Sequence, residues 1–103
     1  NIGAESEYQN IDLVRQLCTI LDDNCPAGAP HGRHIAFVAD RPGHDHRYAL
    51  NSTRIQKELG WRPSVSFDDG LRNTVGWYLE NRAWWEPLLK MTYDGRRLGQ
   101  HVQ

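Results

Sequence analysis

Residues 40–47 read Asp-Arg-Pro-Gly-His-Asp-His-Arg, so two arginines, two histidines and two aspartates crowd around one Pro-Gly pair. Arg41 offers a planar fork of donors that matches phosphate oxygens, and His44 has a ring N–H to give to a phosphate or a ribose hydroxyl. Gly43 lets backbone approach a ligand closely. This is chemistry for gripping an anion. The same spacing also fits a solvated turn whose charges pair among themselves. A metal reading rests on His44-Asp45-His46 and on His31 with His34, but their spacing matches no strong zinc pattern.

Asn10 stands just before an apolar periodic stretch and has two readings. As an N-cap it closes orphan helix donors, and the same helix end attracts anions. Trp84 and Trp85 suit stacking on a sugar or base, and equally suit packing against a partner surface.

Catalytic machinery for redox chemistry is missing from the pattern. A dinucleotide fold needs a glycine-rich turn between strand and helix, and the nine glycines show neither GxGxxG nor GxxGxxG spacing. A tyrosinate base needs a cation one helical turn away to lower its phenol pKa, yet Tyr8, Tyr48, Tyr78 and Tyr93 all lack a Lys four residues on.

The elements that must position the turn follow from periodicity. Ile11, Leu13, Val14, Leu17, Cys18, Ile20 and Leu21 have helical spacing behind Asn10. Pro26, Gly28, Pro30 and Gly32 mark residues 24–32 as a surface loop. Residues 34–39, His-Ile-Ala-Phe-Val-Ala, predict a short strand that delivers the turn. Residues 1–4 read as the end of another strand, and 48–50 as a further short extended piece. Asn51 or Ser52 caps a helix that buries Ile55 and Leu59 and stops at Gly60. Ser66 with Asp69 forms a capping-box variant before a helix whose inner face is Phe67, Leu71, Val75, Tyr78 and Leu79. Trp84, Trp85, Leu88 and Leu89 predict a last helix with Pro87 in its first turn. Residues 1–92 are then one folded portion, and 93–103 a flexible tail.

At 103 residues there is room for one small domain or part of a larger one. Hydrophobic residues make up 39% of the chain and its mean hydropathy is -0.70, so a self-sufficient core is thin. Twelve Lys and Arg against thirteen Asp and Glu leave a net charge of -1. No global field draws the chain to nucleic acid or an anionic membrane. Cys18 and Cys25 form no CxxC pair and read as reduced thiols, and no apolar run reaches membrane-span length. A cytoplasmic location is expected. The opening Asn1-Ile2-Gly3-Ala4, without Met, predicts a fragment of a longer protein.

Taken together, Asn1-Ile2-Gly3, Asn10, Asp40-Arg41-Pro42-Gly43-His44-Asp45, Arg47-Tyr48-Ala49, Glu58-Leu59-Gly60-Trp61-Arg62-Pro63 and Trp77-Tyr78-Leu79 resemble the dTDP-glucose 4,6-dehydratases in order and spacing. Leu-Gly-Trp-x-Pro is shared by extended short-chain dehydrogenases acting on nucleotide sugars, epimerases included. Arg-Pro-Gly-His-Asp is narrower, because related epimerases usually carry an acidic residue where His44 stands. Ala4, His46 and Asn51 depart from the family pattern, where Gly, Arg and Asp are common, and a neutral His46 weakens anion attraction.

The resemblance implies an α/β fold, mostly helical with a few short strands: the C-terminal substrate-binding lobe, with the Rossmann lobe absent. It implies that Asn10, Asp40, Arg41, Pro42, Gly43 and His44 contact the nucleotide diphosphate of a dTDP-sugar. NAD serves the full-length family enzyme, and none is expected on this chain, which is expected to be inactive alone. The implied partner is the missing Rossmann lobe. Two other readings stand beside it: an independent nucleotide-diphosphate-binding module, and a remnant that self-associates through apolar helices around Trp77, Trp84 and Trp85.

Overall fold

The computed structural model describes residues 1–91, and the expected tail at 93–103 lies outside them. Helix α1 spans Asn10–Asn24. Its N-cap is Gln9 rather than Asn10, because Gln9 keeps extended backbone (φ -70, ψ 142) while its carbonyl already accepts from the N–H groups of Asp12 and Leu13, each at 3.1 Å. Asn10 is therefore the first helical residue, and Asp12 supplies the negative charge that a helix N-terminus favours. At the other end the Asn24 side-chain amide donates to the Ile20 carbonyl at 2.8 Å, satisfying a group the helix leaves open.

The predicted loop after α1 winds into two 3-10 turns, Pro26–Gly28 and His31–His34. His31 latches the second turn onto α1: its backbone N–H reaches Asp22 Oδ1 at 2.7 Å and its ring Nδ1 reaches the same oxygen at 2.6 Å. The backbone donor, followed by the ring donor, holds the Asp22 carboxyl below its ordinary pKa.

The strand expected over residues 34–39 does not form. His34 closes a 3-10 turn, and no strand ladder exists among the described residues, including 1–4 and 48–50. Phe37 and Val38 are 87% and 73% exposed. β-Forming side chains favour a pleated, half-buried surface, and without a neighbouring strand they have none. The described fold is thus helices joined by extended connectors.

Helix α2, Thr53–Leu59, starts and stops where the sequence indicates, with Gly60 in the left-handed region at φ 65. Both proposed caps contribute, in different ways. Asn51 Oδ1 accepts the Thr53 N–H at 3.0 Å, while Ser52 is the N-cap by position but makes no side-chain cap bond. The fully buried Ser52 hydroxyl instead donates to Glu5 Oε1 at 3.1 Å and accepts from Gln56 Nε2 at 2.9 Å. Ile55 turns partly inward, but Leu59 is 78% exposed, contrary to the expected buried pair.

Helix α3, Phe67–Glu80, has the predicted cap: Ser66 Oγ accepts the Asp69 N–H at 3.1 Å and donates to the Asp69 carboxylate at 2.7 Å. Phe67, Leu71, Val75 and Leu79 turn inward, whereas Tyr78 remains exposed. Helix α4 covers Arg82–Met91, opening with Trp84 N–H bonded to the Asn81 carbonyl at 3.0 Å. Since it begins at Arg82, Pro87 falls in its interior rather than its first turn, and the helix loses one backbone donor there.

Helices α1 and α3 pack on each other. Their apolar content is small: Ile20 is fully buried and Val75 nearly so, and they are the buried hydrophobic residues among those described. A polar clamp spans the seam. Gln16 Nε2 donates to Asp68 Oδ1 at 2.8 Å, while Arg72 reaches Asp68 Oδ2 at 3.1 Å and Asp23 Oδ2 at 3.4 Å. The Gln16 bond, then the Arg72 bond, holds Asp68 below the usual carboxylate range.

Candidate functional site

The connector ahead of α1 and the charged turn meet at the start of α1. Arg47 Nε donates to Glu7 Oε2 at 2.7 Å, tying residue 47 back to the chain before the helix. The Tyr48 hydroxyl donates to Asp45 Oδ2 at 2.6 Å and braces the end of the turn. Beneath them the Tyr8 ring stacks on Phe67, centroids 4.2 Å apart and planes 23° off parallel, which joins the connector to the first turn of α3.

These contacts enclose an open groove of about 820 Å³ whose lining includes Asn10, Leu13, His44, Arg47, Tyr8 and Phe67. A smaller hollow of about 580 Å³ lies alongside, bordered by Gly3, Glu5, Leu50 and Phe67. The larger groove has a mixed character, its lining combining the stacked rings of Tyr8 and Phe67 with imidazole, guanidinium and amide groups. Such a surface offers flat apolar contact and convergent polar donors together.

Within the turn, Gly43 takes φ 69, a left-handed conformation costly for other residues, and this lets the chain reverse. His44 N–H bonds weakly to the Arg41 carbonyl at 3.4 Å. Asp40 Oδ1 accepts from His44 Nδ1 at 2.6 Å and from the Arg41 backbone N–H at 2.8 Å.

Of the residues singled out in the sequence, the structure brings Asn10 and His44 into one groove, although they are distant along the chain. Asp40, Arg41, Pro42 and Gly43 form the turn that carries His44 but do not line the groove. The Arg41 guanidinium has no ion pair among the described residues. The solvated-turn reading is met in part, since His44 pairs with Asp40 inside the turn while Arg47 pairs outside it with Glu7. Among the described residues no three His, Cys, Asp or Glu side chains gather as metal ligands.

Sequence reasoning missed Glu7, Tyr8 and Phe67 as groove residues. Tyr8 carried a signal, because an aromatic residue just before the N-cap commonly staples onto the first turns of its helix. Here it reaches α3 instead, a contact no local rule supplies.

No helix among the described residues is long and apolar enough to cross a membrane. A family model described as GDP-mannose 4,6 dehydratase matches residues 1–74. The chain is 50% identical over 99 residues to a probable dTDP-glucose 4,6-dehydratase of Sinorhizobium fredii, a match covering 96% of this chain and 28% of that protein. It is 43% identical over 104 residues to the dTDP-glucose 4,6-dehydratase of Xanthomonas campestris, covering 99% of this chain and 30% of the relative. The crystal structure of a Bacillus anthracis dTDP-glucose 4,6-dehydratase in complex with NAD superposes with a TM-score of 0.72 at 39% identity, over 85% of this chain and 25% of that one. The chain spans less than a third of the length of these relatives. The mostly helical C-terminal lobe expected from the resemblance is borne out, its few short strands are not found among the described residues, and since the family match takes in well over half of its residues, the chain belongs to the GDP-mannose 4,6 dehydratase family.

Proposed function

We propose that this chain is the nucleotide-sugar-binding portion, residues 1–92, of a dTDP-glucose 4,6-dehydratase. The observation that carries the reading is the convergence of Asn10 and His44 on one groove, beside a turn whose Arg41 guanidinium is without an ion pair among the described residues. Arg41 would take the diphosphate, with Asn10 and His44 placing the nucleotide. The aromatic wall of Tyr8 and Phe67 suits a flat ring better than it suits phosphate.

In the parent enzyme the reaction would oxidise C4 of dTDP-glucose, eliminate water across C5–C6 and return the hydride to C6, giving the 4-keto-6-deoxy sugar. NAD would supply the hydride chemistry there. The residues of this chain do not fit that cofactor: the left-handed glycines described are Gly43, in the charged turn, and Gly60, at the end of α2, so neither opens a strand-to-helix pyrophosphate cradle. What this chain contributes is binding and orientation.

The test is titration of the purified chain with dTDP. Wild type should bind saturably, and Arg41→Ala should weaken binding by about 10- to 100-fold, the range expected for losing charge-assisted bonds to a phosphate. Unchanged binding in Arg41→Ala refutes the assignment. Turnover of dTDP-glucose by the chain without any partner would refute the view that it only binds.

A second reading concerns what covers the apolar residues. Trp84, with Leu88 and Leu89 on the same helix, is 65% exposed, and Phe37 and Val38 are more so. In the parent protein the Rossmann lobe would cover part of this surface, and in the isolated chain a second copy would do so. Sedimentation over a wide concentration range decides: mass rising with concentration supports self-association, and a constant monomer mass opposes it.

A further inference from the structure

The carboxylate of Asp40 can only accept, so the 2.6 Å contact with His44 Nδ1 requires that nitrogen to carry the proton. In neutral His44 the remaining ring nitrogen, Nε2, is then bare. His44 belongs to the groove lining and Asp40 does not. We infer that Asp40 is a positioning residue: it locks neutral His44 in the Nδ1–H tautomer, so that the imidazole offers Nε2 to the groove's ligand as a hydrogen-bond acceptor.

The surrounding geometry supports the assignment. The same Asp40 oxygen also takes the Arg41 backbone N–H at 2.8 Å, which fixes the carboxylate relative to the backbone. Gly43, at φ 69, turns the chain so that His44 comes back over Asp40. Carboxylate-to-Nδ1 bonds commonly set which imidazole nitrogen is free for work.

The consequence narrows the chemistry of the groove. A neutral Nδ1–H imidazole gives no N–H to phosphate through Nε2. It accepts instead from a hydroxyl, and on the function proposed above that hydroxyl belongs to the nucleoside sugar, leaving the diphosphate to Arg41. Asp40 itself acts through His44 and does not touch the ligand.

The experiment is a long-range proton–nitrogen NMR correlation on the chain with labelled histidine, recorded where the ring signals show His44 neutral. Wild type should show a protonated, pyrrole-type Nδ1 and a bare, pyridine-type Nε2. Asp40→Asn, whose amide oxygen still accepts, should keep that pattern, whereas Asp40→Ala should lose it toward Nε2–H. A bare Nδ1 in wild type overturns the inference without reference to any variant, so an unfolded Asp40→Ala cannot rescue it. Unchanged tautomer in a folded Asp40→Ala overturns it as well. In a second arm, dTDP should shift the Nε2 signal and inorganic pyrophosphate should not. A shift with pyrophosphate alone refutes the hydroxyl assignment. The tautomer is read with no nucleotide present, so failure of dTDP to bind refutes the functional reading, while a bare Nδ1 refutes this one.

Discussion

Replacing Ile20 with Ala tests whether so small an apolar seam holds α1 to α3. Ile20 is fully buried, and with Val75 it makes up the buried hydrophobic set among the described residues. Truncating a buried Ile to Ala costs about 2–5 kcal/mol, from lost transfer energy and the cavity left behind. The clamp across the same seam is solvent-exposed, with the Arg72 side chain 45% accessible, and exposed ion pairs contribute about 0–1 kcal/mol each. With a urea dependence of roughly 1–3 kcal/mol per molar, Ile20→Ala should lower the midpoint by about 1 M or more. Far-UV circular dichroism and tryptophan fluorescence would follow unfolding together. Ile20→Val, at about 0.5–1.5 kcal/mol, keeps the comparison measurable if the Ala variant does not fold. Leu59→Ala is the control, because Leu59 is 78% exposed and its truncation should fall within about 0.5 kcal/mol. The reasoning fails if Ile20→Val and Leu59→Ala shift the midpoint equally, or if Arg72→Ala costs more than Ile20→Ala.

Glu7→Ala should free Arg47 and loosen the connector over the groove, read as faster amide exchange across residues 44–48 with α3 unaffected; equal protection in both proteins would argue that the pair does not hold the turn. The Asp22–His31 latch should open in acid. Asp22 has its pKa lowered by folding, so its stabilising effect is present above the ordinary carboxyl value of 3.8 and is lost as pH falls through the lower folded value. Protection of the His31 amide, its exchange rate set against the free-chain rate at the same pH, should fall there in wild type, whereas Asp22→Ala, which removes the acceptor, should already lack it at neutral pH. Pro87→Ala restores a backbone donor inside α4 and should raise helicity, with a gain of up to about 3 kcal/mol for that helix; no gain in the helical circular dichroism signal would mean that Pro87 is not straining it.

Much of the charged turn was legible because its chemistry is short-range. Pro42-Gly43 specifies a reversal, and the side chains of Asp40 and His44 are close enough in sequence to meet once it forms. Asn10 was read correctly as standing at a helix start but wrongly as its cap, since the choice between Gln9 and Asn10 depends on which carbonyl the first turn uses. The groove itself was not legible. Glu7 to Arg47 and Tyr8 to Phe67 join residues far apart in the chain, and neither pair has a periodicity or spacing that announces it.

The sequence by itself determined the helices and several of their ends: the apolar spacing of α1 and α3, the Ser66–Asp69 cap and the left-handed stop at Gly60 each rest on hydrogen bonds or sterics within a few residues. It also determined the family, through motifs kept in order. Tertiary structure alone decided that Asn10 and His44 share a groove while Arg41 stands outside it, and that residues 34–39 run without a ladder. The physical reason is the same for both outcomes. A helix satisfies its backbone within its own turns, whereas a groove or a strand exists only where distant parts of a chain supply the other side.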